Sequence, residues 1–254
     1  MGVIITGAAS GIGLATAHLL HSKGEKVTLW DINEADLQTT AKLLNADYCV
    51  VDVTNYEAIG VAIEKANDAM GRIDAVIHCA GIAHVGLFSE LDISQHQRMV
   101  NVNLTGTLNI AHAAIPSLKN THGTLILVAS SSSFYGPPDF ATYGATKAGI
   151  VRFAEAIRIE LEDEGIHVAV ISPHFVQTPM LDESKKSSMF EGAAYTSTAE
   201  DIALEIEKML RMKSDVVVPG IMNKLNYFLS RHVPQVGPFI VRRIWQQGKK
   251  KRGR

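Results

Sequence analysis

Tyr143 and Lys147 stand four residues apart in Tyr-Gly-Ala-Thr-Lys, at the start of a stretch with helical periodicity. That spacing sets both side chains on one helix face. A phenol with a reference pKa of about 10 is a poor base near neutrality, and a neighbouring ammonium favours the phenolate. Such a pair can exchange a proton with an alcohol or carbonyl oxygen. Ser130 follows an apolar run at 124–129 and could hydrogen-bond that same oxygen, provided the run ends where the helix begins.

A second constellation opens the chain. Directly after the apolar run 3–6 comes Thr6-Gly7-Ala8-Ala9-Ser10-Gly11-Ile12-Gly13, and a helical pattern starts within it. Gly7 permits a tight turn, Gly11 lets backbone approach a pyrophosphate, and Gly13 allows close helix packing. The helix N-terminus adds free N–H groups and a positive dipole. A glycine trio by itself marks any turn; its place between strand and helix is what suggests a dinucleotide. Asp31 closes the second apolar run, where a dinucleotide fold sets a carboxylate against the adenosine ribose. A 2′-phosphate would meet like charge there, and Ser10 offers no cation before Gly11, so the pattern predicts NAD over NADP. The alternative for Asp31 is a helix-capping aspartate.

These residues need strand ends and helix starts to hold them. Short apolar runs alternate with longer amphipathic segments, which predicts βαβ units around a parallel sheet. Strands are expected at 3–6, 26–31, 47–52, 74–78, 124–129, 167–172 and 216–219. Helices should fill the intervals, notably 12–23, 55–70, 95–118, 143–164 and 199–211. The expected class is α/β: a Rossmann-type, doubly wound parallel sheet of about seven strands with helices on both faces, in a single domain over residues 1–220. Residues 221–254 form a C-terminal extension with a basic tail. Ligands in such sheets gather beyond the carboxyl ends of the strands, where the motifs above fall.

Bulk properties exclude other classes. The chain has 254 residues, 46% hydrophobic and 20% charged, which suits one domain with a large core. Its two cysteines, Cys49 and Cys79, show no disulfide framework and no metal-ligand spacing, so no metal is expected and a reducing, cytoplasmic location is. No apolar run approaches the roughly 20 residues that span a bilayer, and no charged leader precedes residues 2–6. Gly2 and Thr6 match a myristoylation pattern, yet the same residues read better as a buried first strand.

The chain closely resembles the short-chain dehydrogenase/reductase family in its common single-domain form, over roughly residues 2–220. The likeness is carried by the glycine turn of residues 6–13, by Asp52-Val53, by Asn103-Leu104-Thr105-Gly106, and by Tyr143 with Lys147. The resemblance implies that Tyr143 exchanges the proton with the substrate oxygen and that Ser130 orients it. It also implies that Lys147 binds the nicotinamide ribose and lowers the tyrosine pKa, and that Asn103 holds a proton-relay water. Ser130, rather than Ser131, Ser132 or Ser133, lies at the family's usual offset of thirteen before Tyr143. The cofactor site would comprise Gly7, Ser10, Gly11, Ile12, Gly13, Asp31, Asp52, Val53, Ala80, Gly81, Pro173, Val176 and Thr178, with Tyr143 and Lys147. Helices over 104–118 and 143–164 would pair with their copies in a homodimer or homotetramer.

Two departures stand out. The family's Asn-Asn-Ala-Gly is His78-Cys79-Ala80-Gly81 here, and its Pro-Gly is Pro173-His174, so an imidazole stands beside the expected nicotinamide. Either His174 contacts substrate, or it turns outward and only reshapes the loop.

The segment 179–197 is long enough for a lid and carries Met180, Leu181, Met189 and Phe190, with Phe134, Tyr135, Phe140 and His84 expected at the pocket mouth. Met180, Phe134, Tyr135, His174 and Ser130 form the expected substrate pocket, and its lining suggests an apolar secondary alcohol or ketone, lipid- or steroid-like. Seven of the 24 basic residues, and none of the 26 acidic ones, fall in 242–254. With the apolar residues of 221–245, this tail reads in three ways: a peripheral membrane contact, a subunit contact, or a cover for the pocket. Nucleic acid is not an expected partner, because the body is acidic and no reader motif accompanies the basic residues. The rival to an NAD-dependent oxidoreductase is a non-catalytic dinucleotide-binding sensor or scaffold on the same fold.

Overall fold

The computed structural model describes residues 1–191 and 196–251. Part of the expected lid, 192–195, and the end of the basic tail, 252–254, lie outside the described residues. The first half runs β1 (Gly2–Thr6), α1 (Gly11–Ser22), β2 (Lys26–Asp31), α2 (Glu34–Leu44), β3 (Asp47–Val50), α3 (Tyr56–Met70) and β4 (Ala75–His78). Next come α4 (Ile93–Met99), α5 (Gly106–Thr121), β5 (Thr124–Val128), α6 (Ala141–Glu160), β6 (His167–Ile171) and β7 (Val176–Gln177). The remainder is α7 (Met180–Ser184), α8 (Ser188–Glu191), β8 (Ser197–Thr198), α9 (Ala199–Met212), β9 (Val216–Val217), α10 (Ile221–His232) and α11 (Val236–Lys251).

Seven strands pair in the order β3-β2-β1-β4-β5-β6-β9, all parallel, so chain order reverses between β1 and β4. Strands covered on both faces must be apolar throughout rather than alternating, and β1 (GVIIT) and β5 (TLILV) are buried at every position. Ile4 faces a core built with α3, α5 and α6, while Val3 and Ile5 face one built with α1, α2 and α9. This is the doubly wound fold that the alternation of runs predicts. Register aligns Thr6 with both Trp30 and His78, which brings the carboxyl ends of β1, β2 and β4 level at one edge.

Three expected elements differ. The helix expected over 95–118 is interrupted by a π-helical stretch, Val100–Thr105, between α4 and α5. Gly106 follows it so closely against Val53 that an added Cβ would lie 2.6 Å from Val53 Cγ2. The helix expected over 143–164 starts two residues earlier and ends at Glu160, before a turn in which Gly165 takes φ +72°. The last strand is two residues rather than four. In addition β7 and β8 pair as a separate parallel ribbon, Val176 with Ser197 and Gln177 with Thr198, joining the two ends of the lid segment at its base.

Candidate active site

The glycine turn has the form its sequence requires. Gly7 and Gly11 take φ of +68° and +54°, in the left-handed region. A Cβ on Gly13 would lie 2.2 Å from the Gly7 carbonyl oxygen, so α1 can start this close to β1 only with glycine there. Ser10 is the N-cap of α1 but makes no side-chain capping bond, and the first turn holds no acid, which leaves its N–H groups for a ligand. The Asp31 carboxylate accepts from Ala9 N at 3.0 Å and from Asn33 N at 2.9 Å. It therefore ties the end of β2 to the glycine turn, and the cap of α2 is Asn33 instead.

Other expected cofactor residues surround this turn. Thr178 carries its side chain against Gly11, within 3.2 Å of where a Cβ would stand, and Ile12, Pro173, Val176 and Thr178 share one cavity wall. Ala80 N donates to Thr6 Oγ1 at 3.1 Å. Gly81 lies over the catalytic candidates, with its missing Cβ 3.2 Å from Asn103 Oδ1 and 3.4 Å from Lys147 Nζ. Val53 is buried, whereas Asp52 turns to the local backbone and accepts from Thr54 N and Oγ1.

On the other side of the same edge, α6 brings Tyr143 and Lys147 together. Lys147 is buried, donates from Nζ to Val128 O at 2.9 Å, and stands 5.8 Å from the centre of the Tyr143 ring. Burial holds the Tyr143 phenol up at about 12, and a hydrogen bond with Ser130 pulls the other way. Burial also lowers Lys147 to about 8, with Cys79 opposing the drop. Burial is the largest cause at both groups. At neutral pH the pair is a neutral phenol beside an ammonium.

Asn103 is fully buried within the π-helical stretch, which turns its amide inward. Its Oδ1 accepts from Ile82 N at 2.8 Å, and Nδ2 donates to Ile82 O at 2.9 Å and Thr146 Oγ1 at 3.2 Å. Both amide protons are committed, so a relay water could only donate to an oxygen of this residue. Ser130 caps the short turn Ser131–Ser133, and Ser133 donates back to Ser130 O at 2.6 Å. Ser131 and Ser132 line the cavity beside Ser130. Ser131 Oγ bonds His174 Nδ1 at 2.8 Å, and the His174 ring packs on Phe175 with centres 4.6 Å apart. His174 therefore turns inward and lines the cavity.

That cavity has a volume of about 900 Å³. Ser130, Tyr143 and Lys147 form its polar floor, and Phe134, Tyr135, Phe140, Phe175 and Met180 its sides. Its roof is the C-terminal extension: Leu225 and Leu229 of α10, with Ile240, Val241 and Ile244 of α11. The inner face of this extension fits the reading in which it covers the pocket. Two glycines let α11 lie flush. An added Cβ would fall 1.7 Å from the Tyr135 ring at Gly237 and 1.9 Å from Ser188 O at Gly248. His84, expected at the mouth, bonds Gln95 instead and lies off the cavity.

Two residues that the sequence reading missed hold this pocket. Asp139, at φ +67°, accepts from Ser187 Oγ at 2.8 Å and Ser188 N at 3.1 Å, fastening the lid segment to the start of α6. Asn223 donates from Nδ2 to Ser172 O at 2.9 Å, and its buried Oδ1 has no partner among the described residues. No local signal in the sequence set it apart from the neighbouring Asn226.

The model of the short chain dehydrogenase family matches residues 2–188. The chain belongs to this family. Similar to this short-chain dehydrogenase is an uncharacterised oxidoreductase of Staphylococcus aureus, 38% identical over 179 residues, which are 69% of the chain and 78% of the relative. The 3-oxoacyl-[acyl-carrier-protein] reductase FabG of Thermotoga maritima is 33% identical over 186 residues, 71% of the chain and 76% of the relative. Among solved structures, a 3-ketoacyl-(acyl-carrier-protein) reductase from Brucella melitensis complexed with NADH superposes with a TM-score of 0.78. It covers 85% of this chain and 94% of its own, at 23% identity, and so speaks for the fold. The matched span ends before α10 and α11, so the roof of the cavity lies outside what this chain shares with the family model.

The His78 departure has a measurable consequence for this chain. Its Nδ1 meets Thr6 Oγ1 at 2.8 Å, Nε2 has no partner among the described residues, and burial first, then Lys147, depress its pKa to about 3. Between about pH 6.5 and 3 the unfolded chain takes up a proton that the fold does not, so stability falls as pH drops through that window. His78→Asn should narrow the loss of unfolding free energy between pH 7 and 4.5 by about 2–3 kcal/mol. Urea unfolding at the two pH values measures it, and an unchanged difference would show that His78 does not titrate on unfolding.

Proposed function

We propose that the chain is an NAD-dependent oxidoreductase acting on a secondary alcohol or ketone with a large apolar body. The observation that carries this reading is the cavity itself: two hydroxyls and an ammonium on one floor, beneath apolar walls and roof. The residues present fit a dinucleotide, since Gly7, Gly11 and Gly13 allow a tight turn between β1 and α1 that added Cβ atoms would crowd, and the α1 N–H groups are uncapped. Asp31 at the end of β2, with no basic side chain in residues 6–13, favours NAD over NADP.

When bound there, nicotinamide would supply or accept the hydride. The rest falls to the chain. Tyr143, neutral at pH 7, can give its proton to a carbonyl oxygen, and in the reverse direction Lys147 is the cation that supports the phenolate. Ser130 orients the oxygen through its hydrogen bond. Lys147 carries its charge below about pH 8 and loses it above. The buried amide of Asn103 holds the strand-end loop at Ile82, so its part is to position Gly81 beside Lys147. The α10–α11 roof keeps water from these groups, where an electrostatic contact counts for more.

Exposed apolar positions Leu108 on α5 and Ile159 on α6 support pairing with a second copy. Both cysteines are free thiols, which favours a reducing, cytoplasmic setting. Among the described residues, no helix is long and apolar enough to cross a membrane.

The test follows NADH absorbance across ketones and alcohols graded by chain length and ring number, with NAD and NADP compared. kcat/KM should rise with apolar size and favour NAD by at least about tenfold, or ~1.4 kcal/mol. Firm NAD binding with no redox change for any compound would replace the enzyme by a sensor, and a preference for NADP would remove the role given to Asp31.

A further inference from the structure

The α10 and α11 helices have a second face. Ile221, Met222 and Leu225 contribute to the cavity lining, yet Ile221 is 85% exposed and Met222 64%, so they form its rim. Ile221, Leu225 and Phe228 recur at the i, i+4, i+7 spacing of one helical stripe. Phe228 is 53% exposed and Phe239, on α11, 67%. A water-facing surface rarely gathers such side chains without a partner.

Charge points to which partner. Residues 221–254 hold nine of the chain's 24 basic residues and none of its 26 acidic ones. The body that carries them is strongly acidic. Pairing this extension with its own copy would bring together two segments that hold basic and no acidic residues. An anionic bilayer meets both features, with aromatic and aliphatic side chains at the acyl boundary and cations among the headgroups.

We propose that the outer face of α10 and α11 docks on an anionic phospholipid bilayer, with the cavity rim at Ile221 and Met222 turned to the lipid. An apolar substrate would then enter from the membrane without crossing water. This entry route rests on the apolar-substrate reading above; the docking does not.

The full chain is sedimented with phosphatidylcholine vesicles with and without phosphatidylserine. Binding should be at least about tenfold tighter with phosphatidylserine and should weaken as salt rises. The double variant Phe228→Glu, Phe239→Glu should lose about tenfold in vesicle affinity while keeping parental NAD affinity and helical circular dichroism, which show that it folds. Absence of vesicle binding at low salt, or equal binding by parent and variant, would overturn the proposal. So would a variant that changes the mass in solution while the parent ignores vesicles, because the face would then join two copies. Vesicle binding without turnover of any apolar ketone would uphold docking and remove the substrate reading instead.

Discussion

Tyr143→Phe is expected to lower kcat by roughly 10²- to 10⁴-fold, the range that a positioned acid or base contributes, while NAD affinity changes less than about twofold. The ring itself has neighbours that do not depend on its oxygen: Phe140 lies 6.2 Å away between centres, and Lys147 sits beside the face. Phenylalanine should keep those contacts and delete only the transferable proton. No nearby group replaces it well. Lys147 is committed to Val128 O, and Ser130 is a far weaker acid than a phenol. Single-turnover kinetics, with cofactor affinity measured separately, separates loss of chemistry from loss of binding. Near-normal turnover would remove Tyr143 from the mechanism.

The second large effect is steric. In Gly13→Ala the new methyl would stand 2.2 Å from the Gly7 carbonyl oxygen and 2.6 Å from its carbon, and both are backbone atoms in a turn already at positive φ. Either α1 moves away from β1 or the turn opens, and both changes disturb the N–H groups that would face a pyrophosphate. Overpacking of this kind costs about 1–3 kcal/mol of stability, and NAD affinity should fall by about 100-fold, equivalent to ~2.7 kcal/mol. Gly60→Ala supplies the contrast. That residue lies within α3 with nothing within 4 Å of its built Cβ, so alanine should stabilise by about 0.5–1 kcal/mol without touching cofactor binding. If Gly13→Ala bound NAD like the parent, the glycine turn would not be the cofactor cradle.

Much of this was legible in the residues themselves. β1 and β5 announce a parallel sheet because strands covered on both faces cannot alternate, and the glycine turn is readable because two of its residues must adopt positive φ. The Tyr143 and Lys147 spacing likewise forces a shared helix face. What escaped is tertiary. One residue too many in a helical turn leaves the periodicity of 95–118 nearly unchanged, so the π-helical stretch that turns Asn103 inward has no local signature. Asp139 looks like any loop aspartate until Ser187 and Ser188, nearly fifty residues on, come to meet it. The direction of His174 depended on whether Ser131 would be within reach. At Tyr143, helix spacing gives the distance to Lys147 but not how much water is excluded around the pair.

Gly237 and Gly248 leave one more implication. Helix α11 rests on Tyr135 and on the Ser188 backbone at two points where it has no side chain at all, so the ceiling height of the chamber is set by absent atoms. A single methyl at either point would act as a shim, tilting the helix and enlarging the space beneath while the acid, the serine and the lysine stay where they are. Reach toward bulkier or slimmer molecules can therefore shift across evolution through these two small contacts, independently of the reaction carried out below.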